Sequence, residues 1–352
     1  MAAHLKPRRR FSFIRLKYFA AACLFAIITY CYVNWNPALR LRSSKPRDAA
    51  GNFTLGFQKI VVLSEGPSWR TRGLKAAAGY SGINLDIPIQ PPLTDEMIYA
   101  FQNMGPTSVP HLRGRGEAKN WLSFLDITKY IVAQDLESAL ILEDDVDWDV
   151  LIKNSMKLLS DAVREFTWTG KEDRSPYGRS WDLLWIGHCA EPTRNDTRRL
   201  LYDDPSAPRP GKYIAPLWFP WSKENMDGLT PGMRSVQMGQ HTDCSFAIAL
   251  SRHGAIKVLK FAGKGEDTQF DTRLKNGCKK KDLFCLVVTP ELMHHYVPPA
   301  EFGHISAVAD ANERGSRAEE EEFEHIIGNT PNILRSARCK ALFDSTCPGP
   351  GQ

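Results

Sequence analysis

Five carboxylates lie within seven residues of this 352-residue chain, directly after an apolar run. The run Ala139–Leu142 predicts a short buried strand. Carboxylates this close repel one another, and each resists ionisation beside its neighbours. A hard cation relieves that repulsion, because carboxylate oxygens are the usual ligands of Mg²⁺, Mn²⁺ and Ca²⁺. We therefore expect a cation site at the carboxyl end of a strand, where α/β sheets bind ligands. The acids are Glu143, Asp144, Asp145, Asp147 and Asp149.

The spacing of these acids excludes a calcium loop of the EF-hand type. Counting from Asp145, that loop needs Gly at the sixth position and Glu at the twelfth. This chain has Val150 and Met156 there. A surface turn that caps the next helix is an alternative, although a cap needs one or two acids rather than five. We favour a metal-bridged diphosphate site, in which the metal stabilises a nucleoside-diphosphate leaving group.

The segment Ile141–Val146 resembles the central motif of glycosyltransferase family 25, which includes bacterial lipooligosaccharide galactosyltransferases and procollagen galactosyltransferase-like proteins. The resemblance covers roughly residues 57–296. Where the family has Gly-Cys before Leu-Ser and His after it, this chain has Lys119-Asn120 and Phe124, so a role of that His is lost or moved. Further segments follow the family's order: Lys59–Leu63 with Arg70 and Arg72, Gly116-Glu117 with Leu122-Ser123, Ala247–Leu259, and Val288–Pro290 with His294 and His295.

Strands alternate with helices along the chain, which predicts an α/β fold with a mainly parallel sheet and helices on both faces. The resemblance implies more specifically a GT-A fold, which is Rossmann-like. It also implies sugar transfer from a nucleotide sugar, typically with inversion, and Mn²⁺ or Mg²⁺ as cofactor in many members.

Metal ligands can be assigned by position. The resemblance makes Asp145 the principal ligand, and the local spacing permits Asp147 as an alternative. His294 or His295 can supply a further ligand, since imidazole binds Mn²⁺, although a His pair is more often structural.

The donor sugar nucleotide has its own candidates. The resemblance places Glu143 and Asp144 at the donor ribose or at a metal-bound water, and Ser123 in a donor-binding segment. Arg70 and Arg72 can bind a diphosphate bidentately, and an exposed helix start explains them about as well.

An inverting transfer also needs a general base that deprotonates the acceptor hydroxyl. Asp267 is the preferred candidate, followed by Glu266 and then Asp271. Their segment loosely matches the family's second acidic element, and an Asp ahead of Thr268 can equally be a helix cap.

Charge separates the N-terminus from the rest of the chain. The formal net charge is +5, but the first 47 residues hold ten Lys or Arg and no acid. The remainder is mildly acidic, which argues against nucleic-acid binding. Basic residues before an apolar stretch predict a type II signal-anchor, with a cleaved signal peptide as the alternative. The predicted regions are a cytoplasmic tail (1–17), a membrane anchor (18–33), a stem (34–56), the catalytic domain (57–300, with an irregular insertion at about 187–243) and a C-terminal extension (301–352).

Six cysteines follow the predicted anchor, and an even number suits disulfides in an oxidising compartment. Their proximity suggests pairs Cys278/Cys285 and Cys339/Cys347, which leaves Cys189/Cys244. Two glycosylation sequons begin at Asn52 and Asn195.

These patterns together predict a Golgi or endoplasmic reticulum membrane protein with a luminal catalytic domain. It would move a sugar, with galactose as the candidate, from a UDP-sugar to a glycan or glycoprotein. The alternatives are an inactive luminal carbohydrate- or metal-binding protein of the same fold and a phosphodiesterase, which would need more His ligands.

Overall fold

A computed structural model of the chain describes residues 13–35, 45–104, 114–192, 197–216, 220, 223, 226, 229–265, 269–299, 302 and 320–347. The chain divides into two compact units, residues 1–44 and 45–352. The first unit contains helix α1 (Phe13–Trp35), which includes the predicted membrane anchor. Among the helices that the structure describes, none is both long enough and apolar enough to span a membrane.

The second unit is built on a seven-stranded mixed sheet, beside which a smaller sheet pairs β3 with β9. The strands are β1 (Lys59–Leu63), β2 (Ser138–Glu143), β3 (Val146–Trp148), β4 (Leu183–Gly187), β5 (Arg199–Asp203), β6 (Met233–Met238), β7 (Ala247–Ser251), β8 (Cys285–Thr289) and β9 (Met293–His295). The order in the large sheet is β1-β2-β7-β4-β8-β6-β5. Five of its strands run in one direction, whereas β6 and β7 run antiparallel to their neighbours. The predicted α/β class with a mostly parallel strand direction is confirmed.

Helices cover both faces of the large sheet, as the sequence predicts. Alternate residues of β2 serve two separate hydrophobic cores: Leu140 and Leu142 face one, Ala139 and Ile141 the other. The first core includes α3 and α6, and the second includes α4, α5, α7 and α8. The helices of this unit are α2 (Pro46–Ala50), α3 (Trp69–Ser81), α4 (Asp95–Gln102), α5 (Arg115–Ala133), α6 (Ile152–Phe166), α7 (Arg252–Ala262), α8 (Phe270–Lys279) and α9 (Ala337–Phe343).

The compact unit extends beyond the predicted catalytic domain at both ends. Part of the predicted stem forms α2, and Ala50 and Leu55 are fully buried. In the predicted C-terminal extension, α9 packs against α3. Gly73 makes this close approach possible, because a Cβ there would lie 2.0 Å from the guanidinium carbon of Arg338. Both segments are mostly polar, so their few buried residues give no periodic signal.

The predicted irregular insertion, residues 187–243, contributes strands β5 and β6 at one edge of the sheet. Strand β6 is buried although it contains several polar residues, so the sequence pattern does not identify it as a buried strand. Its Arg234 is 1% exposed and donates to Asp204 Oδ2 over 2.8 Å and to the carbonyl oxygens of Pro290 and Glu291. A charge at that depth is tolerated because each of its donors finds an acceptor nearby.

Three disulfides link Cys189 to Cys244, Cys278 to Cys285, and Cys339 to Cys347. All three predicted pairs are confirmed. Disulfides of this number indicate an extracellular or luminal compartment.

Removing the Cys189–Cys244 bridge, as the double variant Cys189→Ser and Cys244→Ser, should strongly destabilise the fold. The bridge spans 55 residues in sequence. On the chain-entropy model its loss lowers the free energy of unfolding by about 4 kcal/mol, measured by urea unfolding under non-reducing conditions. The matched control removes Cys278–Cys285, whose sequence separation is 7. Its expected loss is about 2 kcal/mol, and an equal or larger loss would contradict the loop-length argument.

Candidate metal centre

The candidate centre lies at the carboxyl end of β2. Glu143, the last residue of that strand, pairs in register with Leu63 at the end of the parallel strand β1. Its backbone N–H donates to the carbonyl oxygen of Phe246 over 3.0 Å, which ties the strand end to the start of β7. Asp144 and Asp145 then form the turn into β3. The acids therefore sit at the edge where the sequence predicts them.

A second, distant segment completes the centre. Strands β3 and β9 pair antiparallel, with Val146 opposite His295. The N–H of Tyr296 donates to the carbonyl oxygen of Asp145 over 2.8 Å and extends this pairing into the acidic turn. Because of this register, His295 lies beside carboxylates that precede it by about 150 residues.

Glu143, Asp145 and His295 form a three-residue cluster. Each offers one ligand atom, and these atoms all lie within 4.8 Å of one another. His295 Nε2 is 3.4 Å from Glu143 Oε2 and 3.9 Å from Asp145 Oδ1. The ring of Phe246 packs against the imidazole, with centroids 4.1 Å apart. Two carboxylates and one imidazole are a donor set that suits Mn²⁺ and, less well, Mg²⁺.

Negative charge accumulates around this cluster. Burial and the charge of Asp145 raise the pKa of Asp144 to about 6, although Ser64 donates to its Oδ2 over 2.7 Å and the charge of Arg70 opposes the shift. Burial alone would lower the pKa of His295, but the charges of Asp145 and Glu143 raise it above its ordinary value. A divalent cation would relieve this excess of negative charge.

Asp147, the alternative ligand predicted from spacing, lies outside the cluster. It is fully buried, and its carboxylate accepts hydrogen bonds from Ser336 Oγ, from Thr330 Oγ1 over 2.7 Å and from the N–H of Arg338 over 3.0 Å. Burial raises its pKa. Its contacts are those of a residue that fastens the C-terminal segment to β3.

Asp149, the last acid of the run, also contacts the C-terminal segment. It pairs with the guanidinium of Arg335 over 3.1 Å and accepts the N–H of Leu151 over 2.9 Å at the start of α6. Asp149 does not cap α6, because Leu151 is the N-cap residue of that helix and no side chain makes a cap hydrogen bond there.

His294 is not part of the cluster, although its ring centroid lies 5.9 Å from that of His295. Its Nε2 is 3.9 Å from Oε1 of the fully buried Glu291. Burial lowers the pKa of His294 to about 3, with the nearby His295 adding to the effect, so the ring is neutral. His295 therefore belongs to the acidic cluster, and His294 does not.

The donor-binding candidates occupy different surroundings. Arg70, in the first turn of α3, is close enough for its charge to act on Asp144 and His295. Arg72 instead pairs with Glu320 and Glu324. Ser123 lies on α5, where its carbonyl oxygen accepts from Gln90 Nε2 over 3.0 Å.

The preferred base candidates, Asp267 and Glu266, lie outside the described residues. Asp271, the third candidate, is described at the start of α8. Its Oδ2 accepts the N–H of Cys244 over 2.9 Å, which ties α8 to the end of the Cys189–Cys244 bridge.

Two residues of the centre escaped sequence reasoning. Ser64 directly follows β1, as Asp144 directly follows β2. Because parallel neighbours bring their carboxyl ends together, the position of Ser64 in the sequence indicated that it lies near Asp144. Phe246 reaches His295 through the antiparallel strand β7, which gave no such signal.

Comparison with known proteins adds no support to the resemblance to family 25, which rests on the motif residues alone. No family model matches the chain, and no curated protein sequence matches it significantly.

Proposed function

We propose that this protein is a metal-dependent glycosyltransferase that moves a sugar from a UDP-sugar to a glycan or glycoprotein. The observation that carries the proposal is the cluster of Glu143, Asp145 and His295 at the carboxyl end of β2. Open α/β sheets bind their ligands at that edge, and the cluster has the ligand types that a divalent metal needs. The motif resemblance to family 25 adds the GT-A fold and the reaction class.

The three cluster residues would hold Mn²⁺ or Mg²⁺, which as a Lewis acid stabilises the departing nucleoside diphosphate. Arg70 supplies positive charge beside the cluster, where the diphosphate would lie. The hydrogen-bonded pair of Ser64 and Asp144 would orient the ribose hydroxyls. Each of these roles uses the chain's own side chains at the β1–β2 edge.

The acceptor would lose its hydroxyl proton to a general base, for which Asp267 and Glu266 remain the candidates and Asp271 the third. We place the domain in the lumen of the Golgi or endoplasmic reticulum, anchored through residues 18–33 as a single-pass type II membrane protein. The three disulfides support the luminal side.

A donor screen tests the proposal. The full chain, purified in detergent, is incubated with each common UDP-sugar, and UDP release is measured with Mn²⁺, with Mg²⁺ and with a chelator. We expect one donor to be hydrolysed slowly, the chelator to stop the reaction and added Mn²⁺ to restore it. Metal-dependent binding of glycans without turnover of any donor would favour the inactive binding protein instead.

A further inference from the structure

The loop before β1 contains the sequon Asn52-Phe53-Thr54 in an ordered conformation. The side-chain oxygen of Asn52 accepts from the N–H of Thr54 over 2.7 Å and from the N–H of Gly56 over 3.1 Å. Thr54 Oγ1 lies 3.1 Å from the same oxygen. Within the described residues, no hydrogen bond is made by Asn52 Nδ2, so the loop holds the oxygen and the nitrogen remains available.

Attachment of a sugar to this nitrogen preserves the loop. N-glycosylation replaces one N–H of the carboxamide and leaves its oxygen untouched, so the hydrogen bonds to Thr54 and Gly56 persist. Asn332 shows the opposite arrangement, since its Nδ2 donates to Ile214 and to Glu291. A sugar there would break buried hydrogen bonds, whereas a sugar on Asn52 breaks none.

The surroundings of Asn52 leave room for an oligosaccharide. The next residue, Phe53, is 55% exposed. A surface concavity of about 270 Å³ adjoins the loop. It is lined by Thr54, Gln58, Lys59, Ile60, Asn84, Leu85 and Asp86.

The loop also precedes the amino end of β1, whereas the metal centre lies at the carboxyl end of the parallel strands. Lys59, which starts β1, pairs with Ala139, whereas Leu63 at the other end pairs with Glu143. A glycan on Asn52 therefore leaves access to the centre unobstructed.

We propose that Asn52 carries an N-linked oligosaccharide, attached in the compartment that forms the three disulfides. The co-reactant is a lipid diphosphate-linked oligosaccharide, which the secretory machinery supplies. The bond from Asn52 Nδ2 to the anomeric carbon forms as the bond from that carbon to the diphosphate oxygen breaks. The amide nitrogen loses one proton, and the lipid diphosphate leaves. This inference is independent of the glycosyltransferase proposal.

The test uses the full chain, produced in a eukaryotic secretory host and digested with peptide N-glycosidase F. Enzymatic release of the glycan converts Asn52 to Asp, so mass spectrometry of the peptide identifies the site. We expect an electrophoretic shift on digestion and conversion at Asn52. An unmodified Asn52 peptide from folded, disulfide-bonded protein would overturn the proposal, including when Asn195 is modified.

Two variants separate the glycan from the fold. Asn52→Asp keeps an acceptor oxygen for Thr54 and Gly56 but lacks the amide nitrogen, so it should fold and lose the shift at this site. Thr54→Ser keeps the sequon and should retain the glycan. Asn195→Gln in the otherwise unchanged chain removes the second sequon, so that any remaining shift belongs to Asn52. A shift that survives Asn52→Asp together with Asn195→Gln would contradict the assignment.

Discussion

The variant Asp145→Ala should bind Mn²⁺ much more weakly and release UDP from its donor at a strongly reduced rate. Asp145 is 8% exposed and provides one of the two carboxylates in the cluster. Loss of a metal that acts as Lewis acid removes several kcal/mol of transition-state stabilisation, so we expect turnover to fall roughly 100-fold or more. Isothermal titration with Mn²⁺ and a UDP-release assay measure the two effects.

The matched control for this variant is Asp126→Asn. Asp126 lies on α5, where it pairs with Lys129 over 2.9 Å at the helix surface. Its replacement should change neither Mn²⁺ affinity nor turnover. If Asp145→Ala folds and retains full Mn²⁺-dependent turnover, the cluster is not the metal centre. Equal losses in the two variants would also count against it.

Arg338→Ala should cause a large loss of stability. The side chain is 1% exposed and packs between two aromatic rings, with its guanidinium carbon 5.0 Å from the centre of Trp69 and 4.2 Å from that of Tyr296. It also donates to the carbonyl oxygen of Trp69 over 3.0 Å. Truncation leaves a cavity and orphans that acceptor, so the free energy of unfolding should fall by about 3 kcal/mol in urea titrations.

Lys340→Ala on the same helix is the control for Arg338→Ala. Lys340 is 39% exposed and pairs with Asp344 over 2.6 Å. Solvent screens an exposed pair of this kind, so the free energy of unfolding should change little. Similar unfolding free energies for the two variants would contradict the structural role assigned to Arg338.

The sequence was sufficient to predict the acidic turn and the disulfides. An apolar run followed by carboxylates identifies the end of β2 without tertiary information, since both signals are local. The pairing of Cys189 with Cys244 followed once the two short-range pairs were assigned. Which of the two candidate histidines joins the cluster depends on the register of β3 against β9. Each of these strands is only three residues long. Such short strands give no readable pattern.

The role of Asp147 was not predictable for a different reason. Its spacing from Asp145 is that of an alternate residue on an extended chain, which suggests that both carboxylates face one ligand. The carboxylate is instead held by Thr330, Ser336 and Arg338. Nothing in the local sequence reports a contact with residues 183 to 191 positions further on.

These contacts have a consequence for biosynthesis. The three residues of the acidic cluster are all translated by residue 295, whereas the donors to Asp147 follow later, at Thr330, Ser336 and Arg338. Until those residues are made, β3 can pair with β9 but lacks the contacts that fasten it to the C-terminal segment. Products of premature termination before residue 330 should keep all three residues of the cluster and lack all three donors to Asp147.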